Sequence, residues 1–145
     1  MYNASAALAD QILTVLKDAR ALFPTASNWT KGTFEETETF ADGMCRSCYC
    51  LTGAIRCAGR ARGHLGTFVS LLDLSANPVV HGAFSALYAT LKSDDRFSDA
   101  GYWNDPANPG KALVRWNDFR TTTYADVVTL LDLTIERLEG AKVRL

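Results

Sequence analysis

The sequence predicts a mainly α protein: a single domain, residues 1–145, of about five helices with room for one short β-hairpin or extended pair. Three observations carry this. Apolar residues recur at helical spacing in several separate stretches. Pro and Gly punctuate the chain between those stretches. A length of 145 residues with 48% hydrophobic and 21% charged residues suits one ordinary core.

The elements follow in order. Ala4 to Leu22 places Leu8, Ile12, Val15, Leu16, Ala19 and Leu22 at helical spacing, with Asn3 or Ser5 as cap and Pro24 as the stop. Ser27 to Thr39 alternates loosely, and Lys31-Gly32 offers the turn of a short hairpin anchored by Trp29 and Phe34. Met44 to Arg60 reads as a buried central helix. At about 100° per residue, Met44, Cys48, Leu51, Ile55 and Ala58 share one face, with Arg46, Arg56 and Arg60 opposite.

His64 to Leu74 reads as a shorter helix. Asn77-Pro78 breaks it and opens another, which runs to about Leu91. Ser93 to Lys111 carries acidic residues, turn signals and the aromatics Phe97, Tyr102 and Trp103, and is expected to be mostly irregular. Ala112 to Trp116 reads as a short extended run that ends in an Asn117-Asp118 turn. Thr123 and Asp126 resemble a capping box for a last helix, Tyr124 to Glu139, which Gly140 closes.

Charge and segment composition exclude some classes. A formal net charge of −1 gives no general attraction to nucleic acid, and the run Arg56, Arg60, Arg62 is offset by Glu35, Glu36, Glu38 and Asp42. No basic-then-apolar leader and no stretch of about 20 apolar residues is visible, so a cytoplasmic location with reduced cysteines is expected, and no membrane partner.

The cysteines invite a zinc reading. On a helix, however, Cys50 and Cys57 stand about 10 Å apart along the axis, too far for one ion. Cys45 and Cys48 lack a second Cys/His pair, so no metal or other cofactor is expected. Cys50 as a nucleophile would need a base or a cation beside it, and no nucleophile motif surrounds it. His64 and His81 have no placed partner, and no catalytic residue is assigned.

Two candidate regions remain. Trp116, Asn117, Asp118 and Arg120, with Cys50, form either a binding pocket or a packed structural corner, in which Trp is buried, Asp caps and Arg bridges. Phe97, Tyr102 and Trp103 form a candidate interaction loop.

Trp29-Thr30-Lys31-Gly32, Tyr49-Cys50-Leu51-Thr52-Gly53-Ala54 and Trp116-Asn117-Asp118 with Arg120-Thr121 together resemble a family of short uncharacterised bacterial and phage proteins. Its members show an aromatic-Cys-x-x-Gly-Ala motif in mid-chain and a Trp-Asn-Asp…Arg-Thr motif before the last helix. The chain departs from that pattern in its single residue, Phe119, between Asp118 and Arg120, and in the added Cys45, Cys48 and Cys57. The resemblance implies a bacterial or phage source, an intracellular location, and a structural corner linking Trp29, the Cys50 helix and the Trp116 turn. It implies no activity. Two function classes therefore stand: a non-catalytic interaction or accessory protein that binds a host protein, and a small enzyme or ligand-binding protein using the Trp116–Cys50 pocket.

Overall fold

The computed structural model describes residues 4–32, 35–39, 45–64, 77–97 and 103–143. Among these are five α-helices and one antiparallel strand pair. Helix α1 spans Ala4–Ala21, strands β1 and β2 span Glu35–Thr39 and Cys45–Tyr49, and α2 spans Leu51–Ala61. Helices α3, α4 and α5 span Pro78–Ser93, Pro109–Asp118 and Tyr124–Val143. Among the described residues no helix is long and apolar enough to cross a membrane. The expected His64–Leu74 helix lies outside the described residues from position 65, as do Met44, Phe34 and Tyr102.

Helix α3 is the hub of the core, touching α1, α2, α4 and α5. Its start is set by Asn77, whose Oδ1 accepts from the N–H groups of Val79 (3.0 Å) and Val80 (3.1 Å), with Pro78 in the first turn. Val80, Ala83, Phe84, Leu87 and Leu91 are wholly buried along it. Each large side chain so placed contributes roughly 1.5–3 kcal/mol. Helices α1 and α3 approach closely because position 82 is glycine: a Cβ there would lie 2.3 Å from Ile12 Cδ1.

Helix α5 opens on the expected capping box. Asp126 Oδ2 accepts from Thr123 N–H at 2.9 Å, and Thr123 Oγ1 accepts from Asp126 N–H at 3.2 Å. Val127, Leu130 and Leu131 face the core, and Tyr124 donates its hydroxyl to Phe23 O at 2.7 Å, tying α5 to the end of α1. Exposed ion pairs at the α1–α5 edge, Lys17–Glu139 and Arg20–Asp132, add little in water.

Five expectations are corrected. The stretch Met44 to Arg60 is not one helix: Cys45–Tyr49 is a strand paired with Glu35–Thr39, and the helix begins at Leu51. A short apolar run fits either period, and pairing with β1 decides it. The hairpin strands lie further along the chain than the Lys31-Gly32 turn expected to join them. Gly32 does take a turn conformation, with φ +82°.

Ala112 to Trp116 is helical within α4, not extended. Asn108 Oδ1 accepts from Lys111 N–H at 3.1 Å and Pro109 fills the first turn, a start signal that outweighs the β-leaning Val114 and Trp116. Asn117 and Asp118 are accordingly the last residues of a helix rather than a turn. Finally, α5 continues through Gly140 to Val143; a Cβ at Gly140 would meet nothing within 4 Å.

Candidate functional site

The end of α4 meets the start of α2 and the segment 29–32 at one residue, Asn117, which is wholly buried. Its Oδ1 accepts from Trp29 Nε1–H at 2.7 Å and from the backbone N–H of Leu51 at 3.0 Å. Its Nδ2 donates to Thr30 O at 3.1 Å and to Asp118 Oδ1 at 3.0 Å. A side-chain amide has two donors and two acceptor sites, so Asn117 is saturated. The Leu51 N–H is one of the donors that a helix start leaves without an intrahelical partner, and Asn117 supplies the cap from another element.

Around this amide the remaining groups are also engaged. Asp118 is exposed, and its Oδ1 accepts a second bond, from Gly32 N–H at 2.9 Å. Lys31 Nζ donates to Phe119 O at 2.6 Å, at the carbonyl-rich end of α4, and lies 5.4 Å from the Trp29 ring centroid. The backbone N–H of Thr30 donates to Tyr49 O at 3.0 Å, which docks segment 29–32 on the end of β2.

Cys50 precedes α2 as its N-cap: its Sγ accepts from Gly53 N–H at 3.3 Å and lies 3.3 Å from Thr52 Oγ1. Burial pushes the Cys50 thiol above its ordinary range. The Asp118 carboxylate adds in the same direction, against the bonds from Thr52 and Gly53. The group is therefore a neutral capping thiol at neutral pH. Cys48 is likewise buried, and its thiol donates to Ser27 O at 3.0 Å. Among the described residues no three His, Cys, Asp or Glu side chains gather as a metal site.

On the other side of α4 lies a cleft of about 170 Å³ lined by Arg96, Phe97, Trp103, Trp116, Phe119, Thr121, Thr122 and Asp126. Trp116 and Phe97 meet edge to face at 5.6 Å between centroids, and Trp103 packs edge to face on Tyr88 at 6.0 Å.

The structure thus divides the residues singled out from sequence. Asn117, Asp118 and Cys50 sit in the bonded corner, whereas Trp116 faces the cleft together with Phe97 and Trp103, both buried. Arg120 is exposed, and among the described residues it forms no ion pair with Asp118, whose acceptors go to Gly32 and Asn117. Sequence reasoning omitted Arg96, Thr122 and Asp126 from any candidate site, and Phe119 lay inside the Trp116–Thr121 stretch without a role. Asp126 was legible only as a cap, and nothing local marks Arg96 or Thr122.

The corner joins the three stretches that carry the family resemblance, Trp29–Gly32, Tyr49–Ala54 and Trp116–Thr121, through one buried amide. No curated protein and no solved structure matches the chain. One family model does, over residues 8–137, nearly the whole chain, and the chain belongs to that family of unknown function, DUF6197.

Proposed function

We propose that the chain is a non-catalytic protein-interaction or accessory protein of bacterial or phage origin, acting in the cytoplasm on a host protein. The observation that supports this reading is the saturation of Asn117: the motif residues spend their polar atoms on one another. A catalytic site needs groups left free to meet a substrate. Here the Asp118 oxygen that faces the corner holds Gly32 and Asn117, and Cys50 is held as a neutral thiol. The motif then serves the scaffold, and function falls to the surface that the scaffold presents.

The alternative, a small enzyme or ligand-binding protein, draws its support from the cleft beside Trp116. The two readings separate in one experiment. Covalent capture from the source cells compares wild type with Arg96→Glu, Arg120→Glu and Cys50→Ser, each checked by its melting curve. The interaction reading expects one specific protein, retained by Cys50→Ser and lost with a charge reversal on the surface. Turnover of a small molecule that Cys50→Ser abolishes, without change in the melt, would contradict it.

A further inference from the structure

Two of the three tryptophans, Trp103 and Trp116, are almost fully buried, at 2% and 5% exposure, and both line the cleft beside α4. Buried indoles ordinarily give their N–H to an acceptor. Trp29 does so, to Asn117. Among the described residues neither Trp103 nor Trp116 makes such a bond, and the hydroxyl of Thr122, a residue 6% exposed on the same lining, is also without a partner there. None of the three atoms is sealed from solvent. Without a protein partner, each of these groups is met from outside the protein, by water or by a ligand. Three such groups, on residues that line one cleft, suit an external acceptor that replaces water there.

The other lining groups narrow its chemistry. Indole N–H is a donor only. Arg96 adds an exposed guanidinium to the lining, loosely ion-paired through Nε with Asp94 Oδ1 at 3.6 Å and with its other N–H groups unpartnered among the described residues. Phe97, Phe119 and the two indole rings give the lining its apolar part, beside the polar groups of Arg96, Thr121, Thr122 and Asp126. Asp126, the one anionic lining residue, has Oδ2 bound by Thr123 N–H and sits in the first turn of α5, where the helix end offsets its charge. A cavity of roughly 150 Å³ takes one benzene ring, so the open cleft of about 170 Å³ has room for one ring or one large side chain.

We infer that this cleft binds a carboxylate carried on an apolar body of about one residue. The carboxylate accepts from the Trp103 and Trp116 indoles, Thr122 and Arg96, and the body lies between the rings. Two sources share that chemistry, a free organic acid and the carboxyl terminus of a polypeptide that ends in an apolar residue. The inference goes beyond the protein-interaction reading and does not depend on it.

Intrinsic tryptophan fluorescence of the full chain reports the site directly, since two of its three tryptophans line it. The probes are 3-phenylpropionate and its amide, and a short peptide ending in Phe as free acid and as amide. The expected result is saturable binding of at least one acid, with a dissociation constant on the order of 1 mM or tighter. The matching amide should bind roughly tenfold more weakly. Arg96→Gln, at an exposed position, should close most of that gap while leaving the melt unchanged. Trp103→Phe keeps a ring and removes the donor, and should weaken the acid more than the amide. Binding of the free acid alone assigns the site to a small molecule, and binding of the peptide acid alone assigns it to a chain terminus. Equal binding of acid and amide, or no saturable binding of either acid by a variant-free, folded protein, would overturn the inference. A failed titration here leaves the capture experiment above unaffected.

Discussion

Trp116 and Asn117 are neighbours in sequence and opposites in circumstance. The Asn117 amide looks into the junction of α4, α2 and segment 29–32, where every donor and acceptor it has is matched. Trp116 looks the other way, into a cleft where two buried indoles and a buried hydroxyl have no partner among the described residues. Both sides carry polar atoms on largely buried residues, and such atoms cost free energy unless the protein, water or a ligand bonds them. The corner meets that cost internally and the cleft does not. A motif residue is therefore not evidence of a site; what distinguishes one is whether its polar atoms are already committed.

The largest break in this comparison is Asn117→Ala. It leaves the Leu51 N–H, the Trp29 indole N–H and the Thr30 carbonyl without their partner. At about 1–3 kcal/mol for each of the three groups left unsatisfied, the loss should reach roughly 3–9 kcal/mol. That is much of the ~5–15 kcal/mol that holds an ordinary domain together. Chemical denaturation of the variant against wild type measures it. A loss below about 1 kcal/mol would mean that the junction does not rely on this amide.

Trp116→Ala tests the other side by burial rather than by bonding. A Trp cut to Ala in a core costs about 3–5 kcal/mol, and Trp116 is 5% exposed. Asp118→Ala should cost less, about 0.5–2 kcal/mol, because Asp118 is exposed and its role is that of a cap for Gly32 and Asn117. Thermal melts of the two variants give the order. A neutral or stabilised Asp118→Ala that also loses a ligand would return this carboxylate to the pocket reading, since groups kept for binding are often kept at some cost to stability.

Much of the fold was readable from local signals, and the misses have physical causes. Asn77-Pro78 and Asn108-Pro109 are the same start signal, Asn as cap and Pro in the first turn. The first was legible because a clear apolar period follows it; the second was obscured by Gly110 and by a run, Ala112 to Trp116, with only ten residues of helix around it. Gly110 sits there because a Cβ would press on Phe84 at 3.1 Å, a tertiary reason that no local pattern records. Cys45–Tyr49 was drawn into the following helix because its cysteines continue the apolar face. The corner was legible as a meeting of three motifs, yet its centre was not. Asn117 bonds to Trp29 across 88 positions and to Leu51 across 66, and only the fold brings them together. The cleft donors are harder still, because they are defined by partners they lack.

Cys50 sharpens the comparison by pH. Its thiol is raised above its ordinary value, burial being the main cause, so the folded state favours the neutral form. That contribution to stability is complete below the unfolded thiol value and is lost as pH rises through the folded one. The melting temperature should therefore decline on the alkaline side, and Cys50→Ser should flatten the decline. At mildly alkaline pH the half-buried Cys57 should be alkylated several-fold faster than Cys50 in the native protein. Mass mapping of the labelled chain decides the matter, and fast labelling of Cys50 would show an accessible, ionised thiol instead of a cap.

The most direct test of the contrast between corner and cleft is hydrogen exchange at the three indole N–H groups, followed in one ¹H–¹⁵N spectrum of the native protein. The chain has three tryptophans, so three indole signals report both regions at once. Trp29 Nε1–H, held by Asn117, should exchange slowly, and its protection should vanish in Asn117→Ala. Trp103 and Trp116, open to the cleft, should exchange at least about tenfold faster despite their deeper burial, because local access rather than burial sets the rate. Equal protection of all three, or a Trp29 signal that exchanges as fast as the other two, would contradict the account.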